Sequence, residues 1–157
     1  MDTPFRNYFF FFLMLFAAIA VSCRHHTFYQ KMDTISNETW NENDTLVYEC
    51  TISDSLQFYK LFIDVRNTTD YPYQNLWIFF TTQFPDSTVF TDTLNCILSD
   101  VYGRWTGKGT GKIKNHFIFK PQVRFPQKGN YVFKIQQAMR DVDLHGITNI
   151  GITLQYE

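Results

Sequence analysis

"TLVYECTI", residues 45–52, places Leu46, Tyr48, Cys50 and Ile52 on one set of alternate positions and Thr45, Val47, Glu49 and Thr51 on the other. A period of two is what a half-buried β-strand requires, because successive side chains point to opposite faces of the sheet. The texture returns at 59–66, where Tyr59, Leu61, Ile63 and Val65 share one face and Lys60, Asp64 and Arg66 the other, with Phe62 among them. Further strands are expected at 76–84, 88–98, 112–120, 131–136 and 147–156, divided by turn chemistry at "NTTDYPYQN" (67–75) and "FPQKGN" (125–130). Residues 136–146 read as one helical turn or a connection. The stretch "LWIFFTTQF", 76–84, is apolar on both faces. It therefore reads as a central strand covered on each side, with Trp77 in the core. Seven or eight strands without a long helix predict an all-β fold, an antiparallel β-sandwich or jelly roll, with an eight-stranded barrel as the rival. Seventeen Phe and nine Tyr suit such a core, since aromatic side chains pack well on a pleated surface.

Ahead of this domain, "YFFFFLMLFAAIAV" (8–21) is an apolar run preceded by Arg6. It falls short of the roughly 20 apolar residues that span a bilayer but suits the central region of a secretory signal. Residues 20–23, "AVSC", resemble the lipobox of bacterial lipoproteins, in which cleavage precedes a cysteine that carries a lipid. The expected organisation is a signal peptide at 1–22, a lipidated tether at 23–36 and a single β-sandwich domain at 37–157. Two or three acyl chains on Cys23 would hold the protein on a membrane, because each buried methylene contributes about 0.8 kcal/mol. Residues 24–32, "RHHTFYQKM", contain no acidic residue, unlike the acidic runs of surface-exported lipoproteins. The expected address is the cell envelope, on the outer membrane facing the periplasm.

The formal net charge is −1, and loss of residues 1–22 removes Asp2 and Arg6 together. No basic stripe is present to bind nucleic acid. With Cys23 acylated, Cys50 and Cys96 remain as an even pair in an oxidising compartment, either bonded or as two buried thiols. His25 and His26 fall in the tether, His116 and His145 stand apart, and no spacing suggests a metal site. No G-x-S-x-G and no cysteine paired with a base occurs. The carboxylates Asp64, Asp86, Asp92, Asp100, Asp141 and Asp143 are scattered. No catalytic residue, cofactor or small-molecule substrate is expected.

"YGRWTGKGTGKIK", 102–114, has the composition of a phosphate loop but not its spacing. Gly103 to Gly107 is one residue short of G-x-x-x-x-G-K-[ST], and Gly109 stands where the hydroxyl is needed. The alternative is a loop at a strand junction whose glycines reach positive φ or admit another backbone. Jelly rolls also bind sugars by stacking them on aromatic rings, for which Trp105, Tyr71 and Tyr73 are the candidates.

"YPYQNLWIFF" (71–80), "DTLNCILSDVYGRWTGKGTGKI" (92–113), "FPQKGNYVFKIQQAMR" (125–140) and "LHGITNIGI" (144–152) resemble the GldH family of gliding-motility lipoproteins of the Bacteroidota. The resemblance implies a membrane-anchored envelope protein tied to type IX protein secretion. It implies partners among other envelope proteins, and no catalytic residue carries over. It also recasts the glycine loop as a docking surface built on Arg104, Trp105 and Lys108, with Arg140 beside them, since Arg and Trp are common interface anchors. The competing reading keeps the loop as a structural corner with Trp105 buried. The same phylum attaches O-glycans at Asp-Ser/Thr-apolar tripeptides, which makes Thr34, in the tether, a candidate for modification.

Overall fold

A computed structural model describes residues 27–157; the signal segment and Cys23 lie outside the described residues. Ten strands follow one another: β1 (Thr27–Thr34), β2 (Thr39–Asn41), β3 (Leu46–Ile52), β4 (Phe58–Thr68), β5 (Asn75–Gln83), β6 (Val89–Ile97), β7 (Lys112–Arg124), β8 (Gly129–Gln137), β9 (Asp143–His145) and β10 (Ile147–Tyr156). Eight of them build two antiparallel four-stranded sheets, in the orders β1-β10-β4-β7 and β3-β8-β5-β6, and the short β2 and β9 pair as a separate ribbon. No strand is shared between the large sheets, so the fold is a sandwich with open edges and not a closed barrel. The links β3–β4, β4–β5, β6–β7 and β7–β8 cross from one sheet to the other, and β5–β6 is a hairpin.

The alternation seen in the sequence becomes the core. Tyr48, Cys50 and Ile52 on β3, Tyr59, Leu61, Ile63 and Val65 on β4, and Tyr131, Phe133 and Ile135 on β8 are all buried. Tyr48 spans the interior and donates its hydroxyl to the carbonyl of Ile150 at 2.9 Å. Burial pushes this phenol well above its ordinary range, with the Asp33 carboxylate adding to the effect. An aromatic chain, Tyr59 to Phe125 to Tyr131, joins the sheets at one end.

Two expectations need correction. Residues 27–34 are not tether but an edge strand, paired with β10 from Thr27↔Gln155 to Thr34↔Asn149. None of its residues is fully buried, so it lacks the clean alternation that marks a strand in sequence, yet Phe28 packs on Tyr59 and Tyr156. Second, β5 is covered on one face only. Leu76, Ile78 and Phe80 are buried, while Trp77 and Phe79, on the outer face, are 41% and 44% exposed. The strand is central within its sheet, but no layer packs on that outer face in the described chain.

The strand registers define two ends. Thr27, the loops 53–57, 84–88 and 125–128, and the C-terminus share the first, here the entry end. The connections around 34–46, 69–74, 98–111 and 138–146 share the second, the far end.

Because β1 is part of the sheet, a chain shortened to begin at Ile35 should lose at least about 3 kcal/mol of stability, the burial of two partly covered aromatic side chains. Urea unfolding followed by circular dichroism checks this; a midpoint unchanged from the full chain would return residues 27–34 to the role of tether.

Candidate functional site

At the far end three loops are tied into one surface by hydrogen bonds. The carbonyl of Gln74 accepts from the backbone N–H groups of Leu98 and Ser99 at 2.8 and 3.0 Å, and its side-chain amide donates to the carbonyl of Asp100 at 3.2 Å. Tyr73 donates its hydroxyl to Asp141 Oδ2 at 2.7 Å, a bond to a carboxylate that raises the phenol's pKa. Loop 69–74 thus links loop 98–111 to loop 138–142.

The glycine loop is a corner. Asp100 accepts from the backbone N–H groups of Tyr102 and Arg104, each at 2.9 Å, and from Arg104 Nε at 2.7 Å. Hydrogen bonding, led by the Arg104 backbone N–H, holds its carboxyl below the ordinary range. Lys108 and Lys114 exchange backbone hydrogen bonds at 3.0 and 2.8 Å, folding the loop back on the start of β7. That closeness is why glycine is needed: a Cβ on Gly107 would lie 2.5 Å from the Lys114 carbonyl oxygen, and one on Gly109 2.1 Å from that of Lys112. The glycines are thus explained by the close return of the chain onto β7, and the phosphate reading is not needed to account for them.

The four residues singled out for docking fare differently. Arg104 is exposed, paired with Asp100 and lying over the Tyr102 ring at 5.3 Å. Trp105 is half-buried, packed against the core and bridged to Ser99 through the backbone, which is the corner reading. Lys108 is exposed. Arg140 is exposed and lines a hollow of about 250 Å³ together with Tyr73, Trp77, Ala138 and Met139. Of the proposed sugar-stacking rings, Tyr71 is 4% exposed and belongs to the core. Trp77, expected in the core, is the ring the hollow presents. Its exposure was hidden because an apolar run looks the same whether one or both faces are covered.

Cys50 and Cys96 are both buried free thiols. They sit on β3 and β6, the opposite edges of one sheet, about 14 Å apart across the strands. Cys96 pairs with Leu76 at the start of β5, whereas Cys50 pairs with Tyr131, one residue beyond the Val132 that meets Gln83 at the end of β5. This adds about 25 Å along the sheet. A disulfide needs Cα atoms within about 7 Å, so of the two alternatives the pair of buried thiols is the one the structure holds. Thr34 lies at the exposed end of β1, where Asn149 Nδ2 donates to its hydroxyl at 2.9 Å, and not in a tether.

One cluster was invisible in the sequence. On the outer face of the first sheet, Asp64 accepts from Thr153 Oγ1 at 2.6 Å and bonds His116 Nδ1 at 2.5 Å, while His116 stacks on Phe62. The Asp64↔His116 pairing is a matter of register between β4 and β7, which spacing along one chain does not encode. The carboxylate orients the imidazole as an acid–base dyad would, but no Ser or Cys hydroxyl or thiol joins them. The other scattered carboxylates are also committed: Asp86 to Thr88 and Gln127, Asp92 to Lys120, Asp100 to its loop, Asp141 to Tyr73 and Asp143 to Asn41. Among the described residues no group of three or more His, Cys, Asp or Glu is placed to hold a metal ion.

Fold and site together define an antiparallel β-sandwich domain whose distinctive features are surfaces, a hydrogen-bonded loop end and an open aromatic sheet face. The chain belongs to the GldH lipoprotein family, whose profile matches residues 27–154. It is 35% identical over 159 residues to a gliding motility lipoprotein GldH homolog of Christiangramia forsetii, covering 96% of this chain and 97% of that one. It is 26% identical over 151 residues to gliding motility lipoprotein GldH of Flavobacterium johnsoniae, covering 91% and 93%.

Two measurements check this geometry. Gly107→Ala should lower stability by about 2 kcal/mol, because the methyl group collides with β7 backbone and with buried Asn115. Gly103→Ala, with nothing near the added Cβ but φ +77°, should cost about 1 kcal/mol; equal losses would mean that crowding at Gly107 is not the cause. Second, burial pushes the Cys50 thiol up to about 11 and Cys96 up to about 12. These folded values lie above the ordinary thiol range, so the stability they contribute is full below about pH 8.5 and is lost as pH rises through 11 to 12. Ellman's reagent at neutral pH should therefore find neither thiol until the protein is unfolded.

Proposed function

We propose that this protein is a non-catalytic, membrane-anchored component of the gliding machinery, held in the envelope by lipid on Cys23 and acting through contacts with other envelope proteins of the type IX secretion route. Membership of the GldH lipoprotein family and relatives named for gliding motility support the motility role. The observation that carries the mode of action is the separation of the two ends: β1 enters at one and the loop surface occupies the other. Cys23 lies four residues before Thr27, so an anchor there leaves Arg104, Lys108 and Arg140 pointing away from the membrane. The lack of an acidic residue at 24–32 supports the periplasmic face of the outer membrane. Trp105 serves the corner on which Arg104 and Lys108 stand.

A second reading has its own observation. Trp77 and Phe79 are exposed two residues apart on one sheet face, and Trp77 lines a hollow with Tyr73 and Arg140. Flat rings beside a cation suit a glycan of the envelope.

In the host, deletion of the protein and a Cys23→Ala allele should both reduce spreading on agar and surface delivery of type IX substrates. An Arg104→Ala, Arg140→Ala double variant should accumulate normally and show the same defect, whereas Trp105→Ala should instead lose about 3 kcal/mol of stability. Normal spreading and delivery in the deletion strain would remove the machine role and leave glycan binding at Trp77 as the reading to test.

A further inference from the structure

We infer that the entry end of the sandwich rests on the bilayer surface, making the membrane interface a binding partner of the folded domain in addition to the lipid on Cys23. This rests on the anchoring proposed above. Thr27 is already paired with Gln155, so the leash from Cys23 to the first fixed residue is four residues long. Four residues reach at most about 14 Å, whereas a ten-residue strand such as β10 is about 33 Å long. The leash is therefore shorter than the body it holds, and the entry end stays within reach of the lipid headgroups however the domain swings.

The residues at that end suit the contact. Leu56, at the tip of loop 53–57, is 75% exposed, and Phe90, just past loop 84–88, is 64% exposed, with Val89, Phe58 and Tyr156 also open to solvent. Arg124 lies over the Phe58 ring at 5.8 Å. Neither Arg124 nor Lys128 pairs with a carboxylate within 4.0 Å among the described residues. The acidic groups nearby are exposed but hydrogen-bonded to their own chain. Asp54 accepts from the Leu56 backbone N–H at 2.9 Å, Asp86 holds Thr88 and Gln127, and Glu157 holds Gln122. Apolar tips, amphipathic rings and cations outside any ion pair together match the headgroup layer of a membrane that contains anionic lipid. The far end also exposes Val101 and Tyr102, but it lies a strand length away. Position decides which end meets lipid.

The test uses the acylated full chain in vesicles of phosphatidylethanolamine with phosphatidylglycerol. Leu56→Cys and Tyr102→Cys variants are labelled at neutral pH with a polarity-sensitive maleimide dye, the buried Cys50 and Cys96 staying unlabelled. Both variants should float with the vesicles, and the dye at 56 should be blue-shifted and quenched several-fold more strongly by brominated acyl chains than the dye at 102. Flotation with equal, solvent-like signals at both positions would keep the anchor and overturn the docking. A blue shift at 56 without quenching by bromolipid would assign that end to a protein contact or a second copy, again overturning it. Failure of either variant to float would remove the anchor, and this inference with it.

Discussion

Everything in this domain depends on the last strand finding the first. β10 lies inside its sheet between β1 and β4, and Ile147, Ile150, Ile152 and Leu154 along it are buried. Even its outward side is engaged, since Thr153 donates to Asp64 and Thr148 to the carbonyl of Arg66. The sheet therefore cannot be completed until β10 has joined it. With four links also crossing between sheets, few native contacts are local, and the cost of loop closure is met before non-local pairing rewards it.

The same pairing sets the geometry of function. Because β1 is stitched to β10, the chain enters the sandwich at a defined end. The surface at the far end lies a strand length from that entry, and its loops are stiffened by Gln74, Asp100 and the Tyr73–Asp141 bond. Pre-ordered loops lose less conformational entropy when a partner binds, which favours contact by a rigid end over capture by a mobile arm.

How much of this was legible in the sequence follows from what alternation encodes. A period of two reports which side of a strand is buried, and so β3, β4, β6, β7, β8 and β10 were readable, as was the all-β class. It says nothing about partners. Cys50 and Cys96 both read as inward, yet register and strand order put them at opposite edges, and the Asp64–His116 pair is created by register alone. Alternation also fails where burial is partial or complete on the wrong evidence: β1 is an edge strand with no buried residue, and the outer face of β5 is apolar without being covered. The glycine loop was legible as a corner because Gly107 and Gly109 answer to a local demand, the return of the chain onto its own β7.

The edges of the two sheets constrain how any partner approaches. β7, an edge, carries Lys112, Lys114, Lys120 and Arg124 and is interrupted near Pro121, where its register with β4 shifts between Leu61 and its neighbours. Proline cannot donate to a ladder, and lysines and irregularities are the usual guards against an added strand. β1 presents Lys31 and Asp33, β3 presents Glu49, and β6 holds Asp92 against Lys120 across the gap between the sheets. All four edges are thus protected by charge, whereas the Trp77–Phe79 face is not. Strand addition along an edge is accordingly disfavoured.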